Sequence, residues 1–451
     1  MFCFCEANFE MVKVTLVYPY FQPRKDNSIF RFPPLGLGYI AAALQNRGVG
    51  VELVDCTFLT MQEALEKVTR SNPQIIGIYS MFSMKKTSME MARQLKGNCK
   101  LLIAGGPLPT LDPADFLEVF DVAAVGEGEE TMVEFSECVE KGSPVSAVKG
   151  IAYKDNGAVK FTGPRGFVEN LDALAFPARE LFDNQAYKRH YKKRFGYSTT
   201  PLLSSRGCPF SCDFCSRPVF GTTFRTRSPG NIVDEVEQIA GLGYDRVWFA
   251  DDCFTLNREH LARVCDLLVQ RRVEVGWECL SRVDTLNVDV AEDMKRAGCV
   301  RVFFGIESGN DGVLSLMNKQ TTTAQARKAV CAAKEAGLQV GAFFIVGYPG
   351  ESDKTVLDTV RFASALPLDY LSFTLPYPIP GTPLYERVKD NGGVVVDDWE
   401  EPKNWGLIRH KLLYGSSFSE RKQVCDWEGA VAVSQQTVLG QRCLRCRWGA
   451  F

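Results

Sequence analysis

Cys208, Cys212 and Cys215 lie in the run Ser204-Ser205-Arg206-Gly207-Cys208-Pro209-Phe210-Ser211-Cys212-Asp213-Phe214-Cys215. The spacing is C-x3-C-x2-C, with the aromatic Phe214 just before the last cysteine. Three thiolates on one short loop can hold three irons of a four-iron cluster and leave the fourth open to a small molecule. An electron-transfer cluster held wholly by protein uses four cysteines. A structural zinc site calls for four ligands, usually as two separated pairs. Here the next cysteine along the chain is Cys253 and the nearest histidine is His190. A disulfide framework fits poorly with a long chain of cytosolic character.

The loop must be carried by regular elements, and the chain alternates β-rich and helical stretches twice. From Val12 to about Lys141, strands are expected at Val12–Tyr18, Val51–Asp55, Ile75–Ser80, Lys100–Ala104 and Val122–Val125. Helical stretches separate them, which predicts a parallel, doubly wound, Rossmann- or flavodoxin-like sheet. Such sheets bind ligands at the carboxyl ends of their strands. The loops there read Pro33-Pro34-Leu35-Gly36, Ser80-Met81-Phe82-Ser83, Gly105-Gly106-Pro107 and Gly126-Glu127-Gly128. Glycines in such loops let backbone approach a flat, bulky ligand.

Residues 142–200 are rich in Gly, Pro and charge and read as a connector, with a hairpin at Asp155-Asn156-Gly157. Six further strands are expected at Pro201–Ser205, Arg246–Ala250, Glu274–Cys279, Arg301–Ile306, Gln339–Val346 and Tyr370–Leu375. Six β/α units predict a partial barrel with its chemistry at the strand C-termini. The cysteine loop follows the first of them. Asp251 follows the second, Glu307 and Ser308 the fourth, and Gly347 the fifth. The resulting domains are residues 12–145, a linker at 146–199, a barrel at 200–385 and a C-terminal region at 386–451.

The cysteine loop resembles that of the radical S-adenosylmethionine (SAM) superfamily. Together with the Gly-rich loops ahead of it, the chain resembles the cobalamin (B12)-binding radical SAM family, in its methyltransferase and oxidative-cyclase group. Pro376-Tyr377-Pro378-Ile379-Pro380-Gly381-Thr382-Pro383 is similar to a segment common in that group. The resemblance implies a 4Fe-4S cluster on Cys208, Cys212 and Cys215. It implies SAM contacts from Phe214, Asp251, Glu307, Ser308 and Gly347, with Glu307 accepting from ribose hydroxyls. It also implies cobalamin on Pro34, Gly36, Ser80, Met81, Gly105, Gly106, Gly126, Glu127 and Gly128. Many cobalamin proteins ligate cobalt through an Asp-x-His-x-x-Gly histidine. The histidines here are His190, His260 and His410, so none precedes residue 190 and a base-off, His-off cobalamin is expected.

The implied reaction is cleavage of SAM by the reduced cluster, with cobalamin serving to methylate an unactivated carbon or phosphorus. Within enzymes, the other reading is a cobalamin-dependent cyclase, oxidase or rearrangement enzyme without net methyl transfer. Outside enzymes it is a cobalamin or iron–sulfur binding or electron-transfer protein. A methylthiotransferase fits less well, because Cys56, Cys99 and Cys138 are scattered where a second cluster would need grouped ligands.

Composition frames the remaining expectations. The chain has 451 residues, a formal net charge of −2 and 45% hydrophobic residues. That charge gives no general attraction to nucleic acid. Sixteen cysteines without a secretory leader point to a reducing cytoplasm. No apolar run reaches the roughly 18 residues of a spanning helix. The expected partners are a small-molecule or lipid-like substrate and a reductant such as flavodoxin or ferredoxin. The basic residues Lys188-Arg189 and Lys192-Lys193-Arg194 read as a solvated face. Cys443 and Cys446 form a C-x2-C pair near the C-terminus, without a second pair to complete a zinc site.

Overall fold

The computed structural model describes residues 12–21 and 30–390. The C-terminal region, with Cys443 and Cys446, therefore lies almost wholly outside the described residues. Those described fall into two compact units. One holds residues 12–21, 33–187 and 217–221, and the other residues 30–32, 188–216 and 222–390.

The first unit is built on a seven-stranded sheet. Its strands are β1 (Lys13–Tyr18), β2 (Gly50–Asp55), β3 (Ile75–Tyr79), β4 (Leu101–Gly105), β5 (Val122–Ala124), β6 (Ile151–Asp155) and β7 (Ala158–Phe161). Their order is β2-β1-β3-β4-β5-β6-β7. The first five are parallel, as their apolar runs require: Val14, Leu16 and Val17 of β1 are buried on both faces of the sheet. Val14 and Leu16 pack under helices Leu35–Gln45 and Glu129–Lys141, while Val17, Ile76 and Ile78 pack with Met91, Ala92 and Phe116 on the opposite face.

The stretch expected as a linker at 146–199 behaves differently. β6 pairs antiparallel with β5, and β7 antiparallel with β6. Ile151 and Ala152 are buried, so the edge of β5 is covered by its own downstream chain. The hairpin turn at Asn156-Gly157 has positive φ at both residues (50° and 81°), as a two-residue turn requires. The hairpin expected at this turn is therefore present as β6 and β7, and what local composition did not report is that it extends the sheet of the first unit at β5. Residues 162–187 also belong to this unit.

The second unit is a sheet of six parallel strands in chain order: β8 (Thr199–Leu202), β9 (Arg246–Phe249), β10 (Gly276–Ser281), β11 (Cys299–Glu307), β12 (Gln339–Ile345) and β13 (Tyr370–Thr374). Helices cross between successive strands. Several begin on side-chain caps, such as Thr322 with Gln325 in a capping box ahead of Thr323–Glu335. The sheet curls. Phe30 lies 5.1 Å from Trp248 on β9 and 6.3 Å from Tyr370 on β13, ring centre to ring centre. In a flat sheet those strands would stand four spacings of about 4.8 Å apart, and one ring could not touch both. Trp248, Phe303, Phe343 and Tyr370 therefore form an aromatic interior that Phe30 completes. Among the described residues β8 and β13 do not pair, so the barrel is partial.

Candidate active site

The cysteine loop leaves β8 at its carboxyl end and is pinned at both sides. Asp251, just beyond β9, accepts hydrogen bonds from the backbone N–H groups of Ser204 (2.7 Å) and Ser205 (3.0 Å) through Oδ1. The Ser204 hydroxyl donates to its Oδ2. Burial pushes the Asp251 carboxyl up to about 6 against the pull of these bonds. On the far side, the Asn318 amide donates to the Ser211 carbonyl at 2.7 Å, and Asp213 N–H donates to the Met317 carbonyl at 3.0 Å. Arg387 forms an ion pair with Asp213. The ring of Phe214 anchors the loop in an apolar nest of Val313, Met317, Ile345, Tyr348, Leu384 and Val388.

None of Cys208, Cys212 and Cys215 is in a disulfide; Cys212 is buried and the other two are half-buried. Among the described residues, no group of three His, Cys, Asp or Glu side chains converges as one metal ion would require. A three-cysteine cluster site has a different demand, one thiolate for each of three irons, and this loop supplies that donor set. Two buried cations stand by the innermost thiol. Arg282 Nη1 lies 4.0 Å from Cys212 Sγ. Lys319 donates to Glu307 Oε1 at 2.9 Å, both side chains being about nine-tenths buried. Burial alone would lower the Lys319 ammonium, but Glu307 and Cys212 outweigh it and hold the group above its usual value. Glu307 ends β11 with φ 70°, a left-handed conformation that a non-glycine residue adopts only when its surroundings impose it. Gly305 leaves room for this carboxylate, since a Cβ there would sit 2.5 Å from Glu307 Oε1 and displace it.

Ser308 and Gly347, also expected at the SAM site, have hydrogen-bond partners within the chain. The Ser308 hydroxyl is fully buried, lies 3.0 Å from Thr359 Oγ1 and accepts from Asn310 N–H at 3.2 Å, so it holds the loop after β11. Gly347 N–H and Tyr348 N–H both donate to Glu351 Oε2, at 2.7 and 2.8 Å. Burial raises Glu351 to about 7. Sequence reasoning missed Lys319 and Arg282. A lysine or arginine in a loop normally points to solvent, and only the placement of Arg282 directly after β10, at the chemically active end of a strand, carried a signal.

In the first unit four of the expected residues, Ser80, Gly105, Gly106 and Gly126, are linked to one another. Ser80 N–H donates to the Gly105 carbonyl at 2.7 Å, and the Ser80 hydroxyl pairs with Ser88 at 2.9 Å. Thr110, which the sequence did not single out, bridges the Gly106 carbonyl (2.8 Å) and Gly126 N–H (3.1 Å). This ties together the ends of β3, β4 and β5. Gly106 has φ 111°, and a Cβ on it would lie 2.7 Å from the Ser80 carbonyl oxygen. Around Gly36, Gly105 and Gly126 a Cβ would meet nothing within 4 Å, so bare backbone faces open space there. That suits a broad, flat ligand. Pro34 precedes helix Leu35–Gln45, Met81 is 36% exposed, and Gly128 lies against Ile40. The Glu127 carboxylate accepts from Val168 N–H at 2.6 Å.

A doubly wound sheet with a glycine rim, and a partial barrel with a three-cysteine loop, define a cobalamin-dependent radical SAM enzyme. The family description for the radical SAM superfamily matches residues 202–363, and that for the B12 binding domain matches residues 26–136. An uncharacterized methyltransferase of Pyrococcus horikoshii is 32% identical over 379 residues, covering 82% of this chain and 81% of the relative. An anaerobic magnesium-protoporphyrin IX monomethyl ester cyclase of Cereibacter sphaeroides is 26% identical, covering 90% and 69%. Among solved structures, the fold matches the radical SAM methyltransferase TsrM of Kitasatospora setae with TM-score 0.73, at 19% identity over 85% of this chain and 77% of that one. The chain belongs to the cobalamin-dependent radical SAM family, and its cofactors are a 4Fe-4S cluster, SAM and cobalamin. No described helix is long and apolar enough to cross a membrane.

Proposed function

We propose that this enzyme methylates an unactivated carbon or phosphorus atom of a small-molecule or lipid-like substrate, in the cytoplasm, with a flavodoxin- or ferredoxin-type reductant. The observation that carries the reading is the buried set of Cys212, Lys319 and Glu307 at the carboxyl end of the barrel strands. Bound there, the cluster supplies the electron that cleaves SAM, and cobalamin supplies methyl-carrier chemistry. The chain's own residues have separable tasks. Cys208, Cys212 and Cys215 hold the cluster, and Asp251 and Phe214 hold their loop. Lys319 is placed to meet the carboxylate of SAM, with Glu307 accepting from its ribose or amino group. Ser308, Gly347 and Glu351 shape the loops around it. Gly36, Gly105, Gly106 and Gly126 offer backbone to a base-off cobalamin, with Met81 on its lower side. No histidine precedes residue 190 to ligate the metal.

The test is anaerobic reconstitution with iron, sulfide, SAM, hydroxocobalamin and a reductant, followed by product analysis. Formation of 5′-deoxyadenosine excludes a mere binding protein. A product heavier by one CH2, with S-adenosylhomocysteine released, supports methyl transfer. The resemblance to the Cereibacter cyclase over 90% of the chain keeps one second reading, cyclisation or oxidation. That reading predicts 5′-deoxyadenosine without S-adenosylhomocysteine or the added CH2.

A further inference from the structure

We infer that Arg282 is a redox-positioning residue: its buried guanidinium is clamped against the Cys212 thiolate and makes the iron cluster easier to reduce. The inference rests on the cluster assignment above. Arg282 follows β10 directly and is 5% exposed. Its Nε and Nη2 both donate to Asp284, each at 2.9 Å, in a two-pronged carboxylate contact. Nη2 also donates to the Lys319 carbonyl at 3.1 Å, and the guanidinium lies 3.6 Å from the centre of the Phe210 ring. Phe210 sits between Cys208 and Cys212 in the chain, so the arginine is stacked on the cysteine loop itself. What remains is Nη1, directed at Cys212 Sγ.

Such a residue is too fully committed to serve as an adaptable ligand for substrate. Lys319, by contrast, has a single close acid partner. The geometry of Arg282 suits a fixed charge. Reducing the cluster adds one negative charge, and a nearby cation stabilises it, strongly so where water is excluded. A hydrogen bond to a cluster sulfur acts in the same direction. Asp284 opposes this effect, but its side chain is 24% exposed and so better screened than Arg282. The pair therefore leaves a net positive influence at Cys212, and its two halves have opposite signs.

The test is an EPR-monitored redox titration of the reconstituted enzyme without SAM, in variants matched for iron and sulfide content. Arg282→Gln should shift the midpoint to more negative potential by at least a tenfold change in the reduction equilibrium, about 59 mV for one electron. Arg282→Lys should fall between wild type and Arg282→Gln. Asp284→Asn should move the midpoint the other way. An unchanged midpoint in Arg282→Gln at full iron content overturns the inference, as does a shift of the same sign in Arg282→Gln and Asp284→Asn. If Arg282→Gln cannot hold a cluster, the sign of the Asp284→Asn shift decides alone. A Cys212→Ala protein that keeps its SAM-cleaving cluster would refute the cluster assignment instead, a distinct failure.

Discussion

Breaking the Lys319–Glu307 pair separates what this contact does for folding from what it does for SAM. The two groups are 2.9 Å apart with side chains 8% and 10% exposed. At an effective dielectric of about 20, that separation corresponds to roughly 6 kcal/mol of Coulomb attraction, before the cost of desolvating both ions. Removing one partner leaves the other charged and buried, at a typical cost of about 3–5 kcal/mol. Lys319→Met and Glu307→Gln should each destabilise the apo protein by that amount in denaturant titrations. The double variant should lose less than the sum of the singles, by about 2 kcal/mol or more, because no lone charge remains. SAM binding should behave otherwise. A charge-assisted hydrogen bond contributes about 1.5–3 kcal/mol, or roughly 10- to 150-fold in affinity. Lys319→Met should therefore weaken SAM binding to cluster-loaded protein by that factor, and the double variant should not recover it. Calorimetry under anaerobic conditions reads this directly. Recovery of near-wild-type SAM affinity in the double variant would refute the placement of SAM at this pair. Single-variant costs below about 1 kcal/mol would refute the burial argument.

Alanine at Cys208, Cys212 or Cys215 should abolish the cluster's visible absorbance and 5′-deoxyadenosine formation while cobalamin still binds, as the cobalamin spectrum will report. Gly36→Ala should leave stability unchanged or raise it by up to about 1 kcal/mol, since its Cβ meets open space in a helix. It should nonetheless weaken cobalamin binding, and unchanged affinity would remove Gly36 from the rim. Gly106→Ala should cost at least about 2 kcal/mol, from its φ of 111° and a Cβ 2.7 Å from the Ser80 oxygen. Glu351 is raised by burial from 4.5 to about 7. Its folded form thus holds a proton more tightly than the unfolded chain, so its stabilising share is full at low pH and is lost as pH rises through about 7. At about 1.4 kcal/mol per pH unit this amounts to at most about 3 kcal/mol. Denaturation midpoints of Glu351→Gln should lack that part of the decline between pH 5 and 7.5, and an identical pH profile would remove Glu351 as its source.

Much of this molecule was legible from residue type and period. The apolar runs of β1, β3 and β4 declared a parallel sheet, because only strands covered on both faces can be apolar throughout. C-x3-C-x2-C declared its cluster, because three thiolates on one loop are a local property. The turn between β6 and β7 was legible at Asp155-Asn156-Gly157, but the pairing of that hairpin with β5 was not, because it depends on the free edge of a strand outside the local sequence. Phe30 gave no signal. It precedes the first helix in sequence yet fills the interior of the second unit, a partnership across more than two hundred residues.

The site divides in the same way. Sequence alone supplied the three-cysteine loop proposed to hold the cluster, the lack of a histidine before residue 190 in this chain and the glycine loops. Each of these depends on residue identity or local spacing. Only the tertiary structure decided that Asp251 and Ser308 spend their polar atoms on holding loops, and that Lys319 and Arg282 stand beside Cys212. A charged side chain acquires such a role from burial and from neighbours far away in the chain, and spacing along a strand or loop encodes neither.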